Sequence, residues 1–226
     1  EATSGYIIEH DGYKLLLECG SGVVSSLQKA ADIKDIDAVL ITHYHYDHCC
    51  DLGPLQYAWQ IKTQLGEIHK PLPIYAPEGE FSKLLKWEDY TYGVSFNEYS
   101  NLSLGPFEIK FIKNIHPVEA YSVKIKCCDK VFSFTSDTSY FDNLAEFFSG
   151  SDLLICECSF YSNMDGREAG HLNSAQAGML AEKANIKKLI LTHLPHFGNL
   201  HDLVTQAKEH YNGDIKLASY LMEINI

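Results

Sequence analysis

The sequence predicts an α/β layered fold of mixed β-sheets with helices outside. Three observations carry this. Strand-like and helix-like stretches alternate along 226 residues without repeats or low-complexity segments. Runs such as Ala38-Val39-Leu40-Ile41 and Leu189-Ile190-Leu191 are continuously apolar, as in strands buried on both faces. Two further pairs of runs are separated by turn residues and read as hairpins, so antiparallel strands enter the same sheets. With 46% hydrophobic and 21% charged residues, the chain can bury a sizeable core.

The elements follow in order. Tyr6-Ile7-Ile8 and Leu15-Leu16-Leu17, joined through Asp11-Gly12, form a hairpin within residues 5–19. Gly20-Ser21-Gly22 opens a helix running to about Ala31, and residues 38–41 form a buried strand. After the Gly53-Pro54 turn, residues 55–64 read as a helix, and 72–75 as a short strand. Residues 81–99 carry Phe81, Trp87, Tyr90, Tyr92, Phe96 and Tyr99 without a clear period; they suit core or lid packing, or stacking on a nucleobase. Residues 107–115 are a strand with Phe107, Ile109 and Phe111 on one face. Residues 121–126 and 131–134 make a second hairpin around Cys128-Asp129-Lys130. An apolar strand over 152–158, a small-residue helix over 174–184 capped by Asn173 or Ser174, a strand at 189–191, a helix over 201–211 and a closing strand over 215–224 complete the chain.

The densest chemistry lies in His43-Tyr44-His45-Tyr46-Asp47-His48, directly after the buried strand at 38–41. Imidazole and carboxylate are the ligands preferred by zinc-type cations. In an extended segment His43, His45 and Asp47 share one face, and His48 points differently, toward a second ion. A solvated His-rich loop is the bland alternative. Other apolar strands also run into a donor. Residues 111–115 lead to His116, residues 132–136 to Asp137, and residues 189–192 to His193. A single histidine at a strand end is usually structural, but four strands ending this way favour a metal site, since sites in α/β proteins collect at strand ends. Seven donors suit two ions sharing one carboxylate.

The sequence resembles the metallo-β-lactamase fold hydrolases over nearly its whole length. The resemblance rests on Thr3-Ser4-Gly5-Tyr6, Leu17-Glu18-Cys19-Gly20-Ser21-Gly22, the run from Thr42 to His48, Ile115-His116-Pro117, Ser136-Asp137-Thr138, Gly170-His171-Leu172-Asn173-Ser174 and Leu191-Thr192-His193-Leu194-Pro195-His196. It implies an αββα sandwich of two mixed sheets, with residues 1–226 as one domain. Members usually open with a strand and a Gly-rich turn before the Thr-Ser-Gly motif, so an N-terminal strand is expected to be missing from this chain. The Gly-His pair before a helix, then Leu-Thr-His 22 residues on, points to the branch of ribonuclease Z and the small-substrate phosphodiesterases that act on cyclic nucleotides or in phosphonate pathways. That branch implies two divalent ions, zinc above all, with manganese, iron or nickel compatible. His43, His45 and His116 would hold the first, Asp47, His48 and His193 the second, and Asp137 would bridge them. His171 would be a catalytic non-ligand, oriented by Glu157 if that carboxylate is not merely structural. Asp47 would shift between ligand and base, and a metal-bridging hydroxide would attack phosphorus. His196 would contact phosphate or anchor its loop.

The formal net charge of −12 disfavours long nucleic acids, which need a basic track. Ribonuclease Z carries a long tRNA-gripping arm between the motifs of His116 and Asp137, and only 20 residues lie there in this chain. The expected partner is a small anionic phosphodiester: a small or cyclic nucleotide, or a short oligonucleotide. The resemblance also allows a homodimer. Thioester or lactone hydrolysis on the same site, or a non-catalytic metal-binding regulatory protein, are the alternatives. No apolar run reaches the length of a membrane span, and residues 1–10 do not read as a signal peptide. The seven cysteines form no disulfide framework, so a reduced, cytoplasmic protein is expected, with Cys49 and Cys50 packing rather than ligating.

Overall fold

Apolar runs bounded by turn residues become strands at nearly every predicted place. The computed structural model describes residues 2–226, with the backbone alone at Glu80 and Phe81. The chain divides into two compact units, Glu1–Asn97 with Leu104–Pro106, and Glu98–Ser103 with Phe107–Ile226.

In the first unit, β1 (Tyr6–His10) and β2 (Tyr13–Leu17) pair antiparallel across the Asp11-Gly12 turn. β3 (Ala38–Leu40), β4 (Leu72–Pro77) and β5 (Thr91–Phe96) then add in parallel, giving a mixed sheet in the order β1-β2-β3-β4-β5. Helices α1 (Val23–Ala30) and α3 (Leu52–Gln64) cover one face. Val23, Val24 and Leu27 from α1 and Leu55 and Trp59 from α3 pack with Leu16, Val39 and Ile74 of the sheet. The one-turn α2 (Tyr46–Cys49) lies between them in sequence. α3 starts at Leu52, earlier than predicted. Gly53-Pro54 falls inside its first turn, where an N–H has no intrahelical acceptor and proline is therefore tolerated.

In the second unit, β6 (Asn101–Leu104), β7 (Phe107–Lys113), β8 (Tyr121–Cys127), β9 (Lys130–Phe134), β10 (Leu153–Glu157), β11 (Lys188–Thr192) and β12 (Asp214–Leu217) form one sheet in reverse sequential order. It is antiparallel from β7 to β9 and parallel from β9 to β12. Helices α4 (Asn143–Phe148), α5 (Ser174–Lys183) and α6 (Leu200–Lys208) pack against it. Phe148, Leu180 and Leu203 meet Leu154, Cys156 and Leu189 in a single buried cluster. Asn173 caps α5 as expected, its side chain accepting from the Gln176 N–H while the Gln176 side chain accepts from the Asn173 N–H. β6 and α4 were not foreseen; both are short and weakly periodic. β12 ends at Leu217, seven residues before the predicted limit, because its partner β11 leaves the sheet at His193. The 20 residues between His116 and Asp137 are taken up by the β8–β9 hairpin.

Among the described residues none of the seven cysteines is in a disulfide, and no helix is long and apolar enough to cross a membrane. Cys49 packs on the first unit's core, and burial pushes its thiol up to about 11. Cys50 is exposed, so packing does not explain it. In the aromatic segment, Phe96 is buried and Tyr90 packs on the core, whereas Trp87, Tyr92 and Tyr99 are exposed. The side chain of Phe81 lies outside the described residues.

Candidate metal centre

In the first unit the donors gather where β3 leaves its sheet. His43 is fully buried two residues after Ile41, His45 is the N-cap of α2, and Asp47 and His48 lie within that helix. The ring centroids of His43 lie 4.8 Å from His45 and 4.1 Å from His48, and His48 Nε2 is 3.5 Å from an Asp47 carboxylate oxygen. One turn of helix thus converts the period-two pattern of the sequence into a cluster. The loop after β2 and the segment before β1 clamp it. The Cys19 N–H donates to the His48 carbonyl at 2.8 Å and the Ser4 N–H to that of Asp47 at 3.2 Å. Gly20 lies so close to the Asp47 carbonyl that any Cβ there would overlap it.

Glu18 is the residue that sequence reasoning missed here. It is completely buried, with φ of 64°, and Thr42 donates to it twice, from its N–H at 3.2 Å and from its hydroxyl. The same carboxylate stands 3.3 Å from His48 Nδ1. Burial pushes its carboxyl up, against the opposing pull of His48 and Thr42. The Thr42 hydroxyl, having donated to Glu18, accepts from His43 Nδ1 at 3.2 Å.

In the second unit, His116, Asp137 and His193 follow β7, β9 and β11, and His171 precedes α5. His193 Nε2 lies 3.4 Å from an Asp137 oxygen. The His171 ring stacks on His193 at 5.2 Å and meets His116 edge-on at 5.3 Å. Asn114 ties two of these strand ends together, its amide donating to the Thr135 and Asp137 carbonyls at 2.9 Å each. Gly170 has φ of 78°, and a Cβ there would stand 2.6 Å from His116 Nδ1, so both the backbone turn and the space require glycine.

Glu157, at the end of β10, is the hub of this unit. Its carboxylate accepts from His171 Nδ1 at 3.1 Å, from the Thr138 N–H at 3.0 Å and from the Ser159 hydroxyl at 2.9 Å. Ser159 in turn accepts from His193 Nδ1 at 2.8 Å. One buried carboxylate therefore orients His171 directly and His193 through a hydroxyl. Burial pushes the Glu157 carboxyl up. Burial also works against a charged His171, but the hydrogen bond and charge of Glu157 outweigh it, and the net direction is upward. Ser159 was not foreseen, although it sits two residues beyond Glu157, the spacing that puts both on one side of an extended segment. His196 is exposed.

The donor chemistry fits divalent cations. His43, His116 and His193 each have Nδ1 within hydrogen-bond distance of an oxygen, from Thr42, the Gly170 carbonyl at 3.0 Å and Ser159 respectively, and His48 Nδ1 faces the Glu18 carboxylate at 3.3 Å. An Nδ1–H held in this way places the ring's lone pair on Nε2, the usual support of a metal-ligating histidine. His171 is anchored the same way by Glu157.

Comparison with known proteins agrees. Residues 13–194 match the family model described as the beta-lactamase superfamily domain. A probable metallo-hydrolase of Bacillus subtilis, YhfI, is 42% identical over 96% of this chain and 90% of its own. Its crystal structure superposes with a TM-score of 0.96 at 41% identity, covering 97% of this chain and 90% of that one. The short form of human tRNase Z gives a TM-score of 0.76 at 22% identity, over 99% and 92% of the two chains. A diphosphatase of the PhnP family gives 0.78 at 19%, over 99% and 84%. The chain therefore belongs to the beta-lactamase superfamily and has the metallo-β-lactamase fold, that of a metallo-hydrolase.

Proposed function

We propose that this member of the beta-lactamase superfamily is a binuclear, metal-dependent phosphodiesterase acting on small or cyclic nucleotides or short oligonucleotides. In this reading His43, His45 and His116 hold one ion, Asp47, His48 and His193 the other, and Asp137 bridges them. Zinc suits these ligands, as do manganese, iron and nickel. Bound divalent ions supply Lewis-acid polarisation and acidify water near neutral pH.

The observation that carries the reading is the Glu157–His171 pair, with 3.1 Å between Oε1 and Nδ1. It leaves the Nε2 edge of His171, when the ring is protonated, as a proton donor beside two proposed ligands. An alkoxide leaving from phosphorus needs a proton, whereas a thiolate, whose conjugate acid has a pKa of about 8.5, departs without one. A held imidazole is thus of more use for a phosphodiester than for a thioester. Names among the structural relatives, tRNase Z and diphosphatase, point to phosphate chemistry too. The net charge of −12 and the short β8–β9 hairpin favour a small substrate over a polymer.

Bis-p-nitrophenyl phosphate, a thioester and a lactone, offered in parallel to the metal-loaded protein and to a chelator-stripped sample, test this. Metal-dependent turnover of the diester is expected. Turnover of the carboxyl substrates alone would sink the reading. Inertness toward every class, with His171→Ala altering only ligand binding, would favour a non-catalytic protein.

A further inference from the structure

The loops that leave β10 and β11 border a shallow, solvent-open hollow of about 570 Å³ that no step above uses. Tyr161 and Phe197 form one wall, their rings 5.9 Å apart and tilted by 51°. Met164, Asn163, Gln206 and Asp202 complete the part of the lining that bears on its chemistry. We propose that this hollow is a nucleobase subsite, holding the uncharged half of the phosphodiester; the proposal rests on the phosphodiesterase reading above.

Position comes first. Tyr161 is two residues beyond Ser159, which touches His193, and Phe197 is four residues beyond His193 itself. At about 3.3–3.6 Å per residue at most, both aromatics stay within roughly 7 and 14 Å of those anchors. The wall is also fixed in place. The Tyr161 hydroxyl donates to the Phe197 carbonyl at 2.8 Å, and the Met164 carbonyl accepts from Asn173, the cap of α5, at 2.9 Å. Gln206 holds the loop from behind, its oxygen accepting from the Ser162 N–H at 2.9 Å and the Ser174 hydroxyl at 2.6 Å.

Lining chemistry selects the occupant. Among the described residues no lysine or arginine lines the hollow, and Asp202 makes it acidic, so a phosphate is not its guest. Phe197 is 51% exposed, although burial is the usual fate of so apolar a ring. An aromatic face with carboxamide and carboxylate groups around it matches a base, which stacks through its π-face and offers N–H edges. Asp202 would accept from an exocyclic amine, favouring amino-bearing bases.

Two arms test this separately from the catalytic reading. In calorimetry with adenosine, which carries no phosphate, saturable millimolar binding is expected, weakened about fivefold or more in Phe197→Ala and retained in Phe197→Tyr. Absence of saturable binding up to about 10 mM, or equal binding by Phe197→Ala, overturns the subsite. In turnover, adenosine 5′-p-nitrophenyl phosphate is compared with methyl p-nitrophenyl phosphate, which has the same leaving group and no base. The ratio of their kcat/KM values should fall about fivefold or more in Phe197→Ala, and an unchanged ratio overturns the subsite. If adenosine binds as stated and the wild type turns over neither diester, the subsite stands and the phosphodiesterase reading fails.

Discussion

Replacing Glu157 by glutamine separates positioning from packing. Glutamine keeps the volume and one carbonyl acceptor, but it removes the charge and turns one oxygen into a donor. The carboxylate now receives the His171 ring, the Thr138 N–H and the Ser159 hydroxyl. A hydrogen bond to a charged group contributes about 1.5–3 kcal/mol and a neutral one about 0.5–1.5, so a loss of about 1–3 kcal/mol of stability is expected. Against a total of about 5–15 kcal/mol the variant stays folded. At about 2–4 °C per kcal/mol for a chain of this size, the melting temperature falls by about 2–12 °C. Activity should fall further, by about 10- to 100-fold in kcat with a linear dinucleotide, whose leaving alkoxide needs the proton, as for other outer partners of a metal site.

The pH profile is the sharper readout. Glu157 favours the charged His171 ring and raises its pKa in the folded protein. Stability from that shift is complete below the unfolded value, about 6.5, and is lost as pH rises through the folded one. If the protonated ring donates to the leaving oxygen, the alkaline limb of kcat reports loss of its proton, and Glu157→Gln moves that limb to lower pH. On a His171→Ala background the substitution should add little further loss in kcat. A variant with the expected melting shift but wild-type kcat and an unmoved alkaline limb would refute the role of the pair.

Three further outcomes are expected. Glu18→Gln should weaken metal binding about 10- to 100-fold in chelator competition, because His48 Nδ1 loses its carboxylate partner while His48, the proposed ligand, is untouched. Gly170→Ala should lower the melting temperature and turnover together, with at least about 1 kcal/mol of loss in urea unfolding, since φ is 78° and the new methyl meets His116. Asp152, which accepts from Lys187 at 2.7 Å and from the Val131 N–H at 2.8 Å, has its carboxyl held down chiefly by Lys187. Asp152→Asn should cost about 1 kcal/mol at neutral pH, a difference that shrinks below about pH 4 as the wild-type group protonates and that is read by denaturant titration at both pH values.

The candidate ligands were legible because distinctive donor chemistry falls at or just after strand ends. An apolar run of strand length stops at His43, His116, Asp137 or His193, and the eye needs only the run and the donor. His171 and its Glu157 partner were legible through motif and strand end together. Glu18 and Ser159 were not. Each is an ordinary polar residue whose meaning comes from a contact made only in the folded chain, Glu18 with Thr42 across 24 residues and Ser159 with His193 across 34. Short elements failed for a different reason. β6 and α4 bury too few residues to show a period, and the start of α3 was hidden by a Gly-Pro pair that reads as a turn.

The backbone carries a signal that composition conceals. Among the described non-glycine residues with positive φ, Asp11 and Cys128 lie in hairpin turns, Glu88 and Leu221 in other turns, and Asn185 follows α5, where left-handed residues are ordinary. Glu18, Ser136 and His193, with φ of 64°, 52° and 50°, are different. They stand at the carboxyl ends of β2, β9 and β11, and none is glycine, asparagine or aspartate, the residues that enter this region most readily. Each costs about 1–2 kcal/mol relative to a relaxed strand exit. The left-handed turn breaks the alternation of an extended chain, so the residue that ends the strand swings out of the sheet instead of facing its neighbour. At Glu18 this lets one carboxylate reach both Thr42 and His48, and at Ser136 it precedes the proposed bridging Asp137. At His193 it sets the ring where Ser159 holds one nitrogen and Asp137 faces the other. Strain of this kind persists only where surrounding hydrogen bonds over-determine it. Here the bonds that do so come from Glu18 and from Ser159 with Glu157, so two residues hidden in the sequence, Glu18 and Ser159, help hold the proposed ligands in place.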